Sequence, residues 1–239
     1  MGQQKLRIFG FIFARGGSKG VKKKNIRSLS GKPLIQYAVE EALKSRYIER
    51  IMVSTDNDEI RQTALAAGAE IPFTRPSGLA TDTSPEWLSW QHAVRTLKET
   101  GDEFDIFVSI PATSPLRIAA DIDACIQALA EDETADGVIT VTKAARHPSF
   151  NMVVMDDKGF AAIAMPDKGP VSRRQDASRM YDMTTVAYAA RPEFILRASS
   201  LFEGRIKAVE IPRERALDID TEFDFLVAEL IINHRSAKE

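Results

Sequence analysis

Between Ala14 and Asn25 the chain gathers three glycines and five cations within a dozen residues: Ala14-Arg15-Gly16-Gly17-Ser18-Lys19-Gly20, then Val21 and Lys22-Lys23-Lys24-Asn25. Glycines let a backbone approach a ligand closely and turn its N–H groups toward it, and neighbouring cations suit a polyanion. The spacing fits neither a Walker A loop nor a G-x-G-x-x-G dinucleotide turn. A solvated basic loop is the plain alternative. Far along the chain, Leu217-Asp218-Ile219-Asp220 sets two carboxylates two positions apart. In an extended segment they point to the same side and repel each other unless a cation lies between them or one is protonated. Oxygen pairs of this kind suit Mg²⁺, which commonly bridges protein carboxylate and substrate phosphate. The competing expectation is that Asp220 caps a following helix, with Thr221 and Asp224 as a partial capping box.

Composition narrows the partners. The chain has 239 residues, 44% hydrophobic, with 32 basic against 34 acidic side chains. That near-neutral balance gives no basis for bulk nucleic-acid binding or an acidic membrane surface, so the basic loop points to a small anion. The single cysteine, Cys125, excludes an internal disulfide and falls in an apolar helical pattern, as a buried thiol does. No apolar run approaches the roughly 20 residues of a membrane span. The opening residues lack the apolar region of a signal peptide, so a cytoplasmic location is expected. His92, His147 and His234 share no motif; His147, next to Pro148, is a candidate to reach a ligand, with a merely solvated loop histidine as the plainer alternative.

The elements that would position these groups alternate. The run Ile8 to Phe13 reads as a strand buried on both faces. Pro33 to Ser45 reads as a helix, Arg50 to Thr55 as a strand, and Asn57 to Ala67 as a helix ending at Gly68. Glu70 to Phe73 fits a short edge strand, and Trp87, Trp90, Val94 and Leu97 recur at helical spacing. Asp105 to Ile110, Ala119 to Ala130 and Gly137 to Thr142 continue as strand, helix and strand. This order predicts an α/β fold, a mainly parallel sheet with helices on both faces. After Lys143, Phe150 to Met155 and Phe160 to Ala164 flank an Asp156-Asp157-Lys158-Gly159 turn, a β-hairpin signature. With Thr184 to Ala189 they form an expected antiparallel insertion at about 144–190, covering the ligand cleft or a partner subunit. Ile206 to Ile211, Ala216 to Asp220 and a helix from Thr221 to about Asn233 complete a single expected domain, 1–239. In such a sheet, ligands sit beyond the carboxyl ends of the strands. The loops at 14–25, 54–56 and 113–117 are thereby predicted to converge.

Taken together, Ala14 to Ile26 (ARGGSKGVKKKNI), Gly31 to Leu43 (GKPLIQYAVEEAL), Val53 to Ile60, Phe73 to Ser84, Thr113 to Arg117 (TSPLR) and Leu217 to Phe225 resemble the CMP-sialic acid synthetase (acylneuraminate cytidylyltransferase) family, in the family's order and over nearly the whole chain. The resemblance implies a Rossmann-like nucleotidyltransferase fold and a homodimer whose inserted hairpin reaches toward the partner's site. It implies Mg²⁺-dependent transfer of CMP from CTP to the anomeric hydroxyl of a nonulosonic acid, with release of pyrophosphate. By motif, Arg15, Lys19 and Lys24 would hold the triphosphate in a loop of Ala14, Gly16, Gly17 and Ser18, with Asn25 near the nucleotide. Arg75 would lie by the cytidine, and Asp218 and Asp220 would bind metal. Arg174, Gln175 and Tyr188 would lie on the sugar side, and Arg15, Lys24 and Asp218 would carry the chemistry. Departures collect on the sugar side. Pro111 stands where the family has glutamine, Phe150 replaces a basic residue, and Asp182 replaces an arginine. A serine expected near the base is replaced by Glu86 or displaced to Ser84. A CMP-Kdo synthetase and a non-catalytic nucleotide-sugar-binding protein of the same fold are the rival expectations.

Overall fold

The computed structural model describes residues 5–17, 20–165 and 179–237. Ten strands and six helices occur among them. They are β1 (Ile8–Phe13), β2 (Ser28–Leu29), β3 (Lys32–Pro33), α1 (Leu34–Leu43), β4 (Arg50–Ser54), α2 (Asp58–Ala66), α3 (Glu86–Glu99) and β5 (Ile106–Ser109). Then follow α4 (Ala119–Ala130), β6 (Gly137–Lys143), β7 (Val153–Met155), β8 (Ala161–Ile163), β9 (Tyr181–Ala190), α5 (Pro192–Arg197), β10 (Ile206–Glu210) and α6 (Glu222–Ser236).

The central sheet runs β10-β6-β9-β5-β1-β4. β1 pairs in parallel with β4 and β5, and β10 with β6, while β9 lies antiparallel between β5 and β6. The strict alternation of apolar side chains explains why both faces must be covered. Ile8 and Ile12 of β1, Ile51 and Val53 of β4, and Ile106 and Val108 of β5 pack with α1, α2 and α4. Phe9 and Phe11, Met52 and Phe107 point the other way, against Trp87 and Trp90 of α3 and Phe194 of α5. Cys125 is sealed in the first of these layers, and burial pushes its thiol up to about 12.

Three expectations change. Tyr181–Ala190 is not part of a peripheral insertion but a central strand, because its stretch Val186 to Ala190 is apolar enough to be buried on both faces. The segment outside the sheet therefore ends before β9. Glu70 to Phe73 makes only a single bridge, Glu70 to Met52, since Pro72 cannot donate to a ladder. Ala216 to Asp220 is irregular rather than a strand, held by the N–H of Ile219 on the carbonyl of Thr113 at 2.9 Å. The hairpin is present as β7 and β8, with Gly159 at φ 85 completing the turn.

A third, smaller apolar cluster bears directly on the site. Val21, Leu29, Leu34, Ile219, Phe225 and Ala228 pack together. It ties the end of the basic loop to the start of α1, to α6 and to the residue between the two aspartates.

Candidate active site

The loops after β1, β4 and β5 meet at the carboxyl edge of the sheet, where an open α/β sheet places its ligands. The loops after β1 and β5, with the stretch from Arg75 into α3 and the Asp220 segment, line a cleft of about 350 Å³ whose walls include Arg15, Lys24, Asn25, Arg75, Glu86 and Asp220. A second cavity of about 290 Å³ shares Phe13, Asn25, Glu86 and Thr113 with the first, and its walls include Pro111, Met183 and Tyr188.

The basic loop is held from several sides. Ala14 donates its N–H to the carbonyl of Ser54 at 3.1 Å. Asn25, nearly buried, donates from Nδ2 to the carbonyl of Arg15 at 3.0 Å. The N–H of Gly16 meets Oδ1 of Asp56 at 3.0 Å. Gly17 faces open space. Arg15 reaches across the cleft to Oδ1 of Asp82 at 2.5 Å. Lys23, at φ 53, turns the chain into a short 3₁₀ turn, Lys24–Ile26, and pairs outside the cleft with Glu59. That turn aims Lys24 inward, where Nζ donates to the carbonyl of Ile219 at 2.6 Å and to Oδ1 of Asp220 at 3.2 Å. Gly20 passes so close to the same segment that a Cβ would stand 2.1 Å from the carbonyl oxygen of Asp220. Ser18, Lys19, Arg174 and Gln175 lie outside the described residues.

Alternation around buried Ile219 turns Asp218 and Asp220 away from the core. Their surroundings differ. Asp220 is exposed on the first cleft. Asp218 lies deeper, beside a third, open depression, with Oδ1 buried and without a hydrogen-bond partner. Burial raises the pKa of Asp218 most, and repulsion from Asp220 adds to it, while the Thr113 and Thr185 hydroxyls and Lys24 oppose both. Asp220 does not cap α6. Thr221 does, accepting from the N–H of Asp224 at 3.2 Å, while Oδ2 of Asp224 accepts from the N–H of Thr221 at 2.8 Å. Among the described residues no cluster of three or more acidic, histidine or cysteine ligands is present.

Behind the site stands Arg117, buried, whose Nη2 donates to the carbonyls of Pro111 and Thr185. Burial lowers its pKa to about 9 against the pull of Asp218 and Asp121. Thr185 is there because β9 slips out of register. Ile139 faces Tyr188 but Thr140 faces Thr184, and the Thr140 hydroxyl fills the resulting bulge, accepting from the N–H of Ala187 at 3.2 Å. Bulges re-aim side chains in this way. Here one brings the Thr185 hydroxyl within 2.6 Å of that of Ser114. Arg215 grips Asp121 with two parallel bonds of 2.9 Å, anchoring the approach to Asp218.

Arg75 is 6% exposed and lies over Phe13, its Nε and Nη2 donating to the hydroxyl and carbonyl of Ser54. Tyr188 lines the second cavity, and burial holds its phenol protonated. His147 is buried and its Nδ1 accepts from the N–H of Ser149 at 3.1 Å. Thus the predicted Arg15, Lys24, Asn25, Arg75 and Asp220 share one cleft, and Tyr188 adjoins it. Sequence reasoning did not assign roles to Glu86, Thr113, Asp82, Arg117 or Thr185. The TSPLR motif pointed to Thr113 and Arg117, whereas no local signal marked the bulge at Thr185.

A cation-lined cleft at the carboxyl edge of such a sheet suits a phosphorylated ligand. The fold is shared with the solved structure of CMP:2-keto-3-deoxy-manno-octonic acid synthetase complexed with CTP, which superposes with a TM-score of 0.70 over 96% of this chain and 99% of that one, at 19% identity. The chain belongs to the cytidylyltransferase family, whose model matches residues 9–228, and is therefore a nucleotidyltransferase enzyme. It is 32% identical to the CMP-N,N'-diacetyllegionaminic acid synthase of Campylobacter jejuni over 93% of both chains. It is 31% identical to an N-acylneuraminate cytidylyltransferase of Streptococcus agalactiae over 90% of this chain and 51% of that protein. No helix among the described residues is long and apolar enough to cross a membrane.

Proposed function

We propose that this enzyme transfers CMP from CTP to the anomeric hydroxyl of a nonulosonic acid and releases pyrophosphate. The observation that carries the reading is the junction of Lys24 with the Ile219-Asp220 segment, which puts a tethered cation and the Asp220 carboxylate at one end of the cleft, with Asp218 two positions away in the chain. Both relatives described above are named for nine-carbon acids, at about 30% identity. The likeness to the eight-carbon enzyme is one of fold.

In this reading the triphosphate lies along the basic loop, with Arg15 and Lys24 on its charged oxygens. Phosphoryl-type transfer is mostly positioning and charge neutralisation, because charge moves onto the departing oxygens as the bond to the α-phosphorus breaks. Arg15 would exchange Asp82 for phosphate, and Lys24 would follow the developing charge of pyrophosphate. The orphaned, buried Oδ1 of Asp218 beside the charge of Asp220 fits a hard divalent cation, and two carboxylates plus substrate oxygens suffice for Mg²⁺. Bound Mg²⁺ would polarise the α-phosphate and offset its charge. Arg117 holds the Pro111 and Thr185 carbonyls, fixing two residues of the second cavity's wall.

The second cavity is the acceptor side in this reading. Its walls carry Pro111 where the resembled family has glutamine, together with Met183, Trp90 and Leu201, so an acceptor with a less polar side chain fits better than N-acetylneuraminate. The hairpin presents Val153, Val154, Met155 and Phe160 to solvent, together with Met183 of β9, an apolar surface that supports a homodimer. Pyrophosphate release from CTP in the presence of ulosonic acids, with and without Mg²⁺, tests the reading.

A further inference from the structure

Glu86 opens α3 and lines both the first cleft and the second cavity. Its Oε1 accepts from Nε1 of Trp90 at 2.9 Å, which fixes the carboxylate at the cleft. Burial is the largest influence on this group and raises its pKa, and the charge of Arg75 draws it back. Arg75 is fixed too. Nε and Nη2 are spent on Ser54, and Nη1 is the corner without a hydrogen-bond partner among the described residues. One wall of the cleft therefore carries a held acceptor and a held donor, with Ser84 and Ser89 beside them.

That pairing has a sign. Cytosine presents an amino donor at C4, then acceptors at N3 and O2. Uracil presents an acceptor at C4 and a donor at N3. An ionised carboxylate accepts only, and a guanidinium donates only. A carboxylate accepting from the cytosine 4-amino group is an established side-chain pairing. A carboxylate at the 4-position and a guanidinium at N3 match the first edge and oppose the second, while a guanidinium at O2 suits either base and leaves the choice to the carboxylate. We infer that Glu86 is the base-selecting residue of this enzyme, accepting from the 4-amino group of cytosine while Arg75 donates to N3 or O2. The inference rests on the proposed use of CTP and deepens it.

Calorimetric titration with CTP and with UTP, in Mg²⁺ and without any acceptor, tests this on the wild type, Glu86→Gln and Glu86→Ser. Thermal melts establish that each variant folds, and Glu86→Gln is nearly isosteric. Wild type is expected to bind CTP and to discriminate against UTP. Both variants should narrow the CTP-over-UTP ratio by roughly tenfold or more, because a site built to meet one polar edge rejects the mismatched one strongly. Glu86→Gln should do so partly by gaining UTP, since its amide can donate to O4. An unchanged ratio in both variants, or equal losses for the two nucleotides, overturns the inference and leaves the transferase reading intact. Failure of the wild type to bind CTP overturns both.

Discussion

Nζ of Lys24 and Oδ1 of Asp220 stand 3.2 Å apart although 196 positions separate them in the chain. The contact closes the basic loop onto the acidic segment, and Val21 and Ile219 pack in one cluster beneath it. The basic loop and the acidic segment are thereby placed as one unit, and several consequences can be measured.

The loop cations should not be equivalent. Lys24 is tethered and its side chain is 14% exposed, whereas Lys22 is exposed and Lys23 pairs with Glu59 at the surface. Arg15→Ala and Lys24→Ala should each lower kcat/KM for CTP by roughly 10²–10³. Lys22→Ala and Lys23→Ala should stay within about threefold, as exposed charges do. Steady-state kinetics on the four variants decide it, and four small, similar effects would mean a solvated loop.

Asp218→Asn and Asp220→Asn each remove one charge at constant volume. Each should cut kcat by about 10²–10³ while leaving the melting temperature near wild type. A capping role no longer competes for Asp220, because Thr221 caps α6. Near-wild-type kcat in both variants would remove the metal assignment.

Gly20→Ala places a Cβ 2.1 Å from the Asp220 carbonyl, a backbone atom that cannot swing aside. Overpacking of this kind costs roughly 1–3 kcal/mol. A thermal melt should show that loss together with a fall in kcat, while Gly17→Ala, with nothing near its Cβ, should melt as wild type does. Equal melting of the two variants would contradict the close approach.

Glu86→Gln should stabilise the ligand-free protein, and in a pH-dependent way. Burial raises the folded-state pKa of Glu86 above its unfolded value. The native state therefore holds its proton longer, and stability falls as pH rises from the unfolded pKa through the folded one. Above that window the charge carries its full penalty, and below the unfolded pKa it carries none. The melting temperature of Glu86→Gln should exceed that of wild type at pH 8, and the gap should close toward pH 4. A gap independent of pH would place the effect elsewhere.

Local patterns foretold much of this. Helix α4 spans Ala119–Ala130 as its periodicity requires, and Asn57 caps α2 by accepting from the N–H of Ile60 at 3.0 Å. The basic loop and the aspartates were legible because their chemistry resides in consecutive residues. The position of β9 was not. Whether an apolar run pairs at the edge or in the middle of a sheet is set by partners distant in sequence, here Phe107 to Ser109 and Gly137 to Lys143. The bulge that delivers Thr185 depends on Thr140, some forty residues earlier, and leaves no local trace. Helix α5 is a single short stretch, Pro192–Arg197, too brief for a periodic signal. Arg117 is part of a visible motif, yet only its burial among the Pro111 and Thr185 carbonyls reveals its place.

Acceptor preference is a separate matter from the reaction. With Pro111 and Met183 on the wall of the second cavity, kcat/KM at saturating CTP should be higher for legionaminic- or pseudaminic-type acids or a deaminated nonulosonic acid than for N-acetylneuraminate. If N-acetylneuraminate proves the best of the panel, those wall residues do not govern selection.

Pyrophosphate release from CTP, followed with Mg²⁺ present and then chelated, over a panel of eight- and nine-carbon ulosonic acids, separates a transferase from a nucleotide-binding protein. Acceptor-dependent release that requires Mg²⁺, forms the CMP-sugar in equal amount and favours a nine-carbon acid is the expected result. Binding of CTP without pyrophosphate release for any acid would contradict it and leave a nucleotide-binding protein. Release favouring the eight-carbon acid would contradict the assignment of the acceptor.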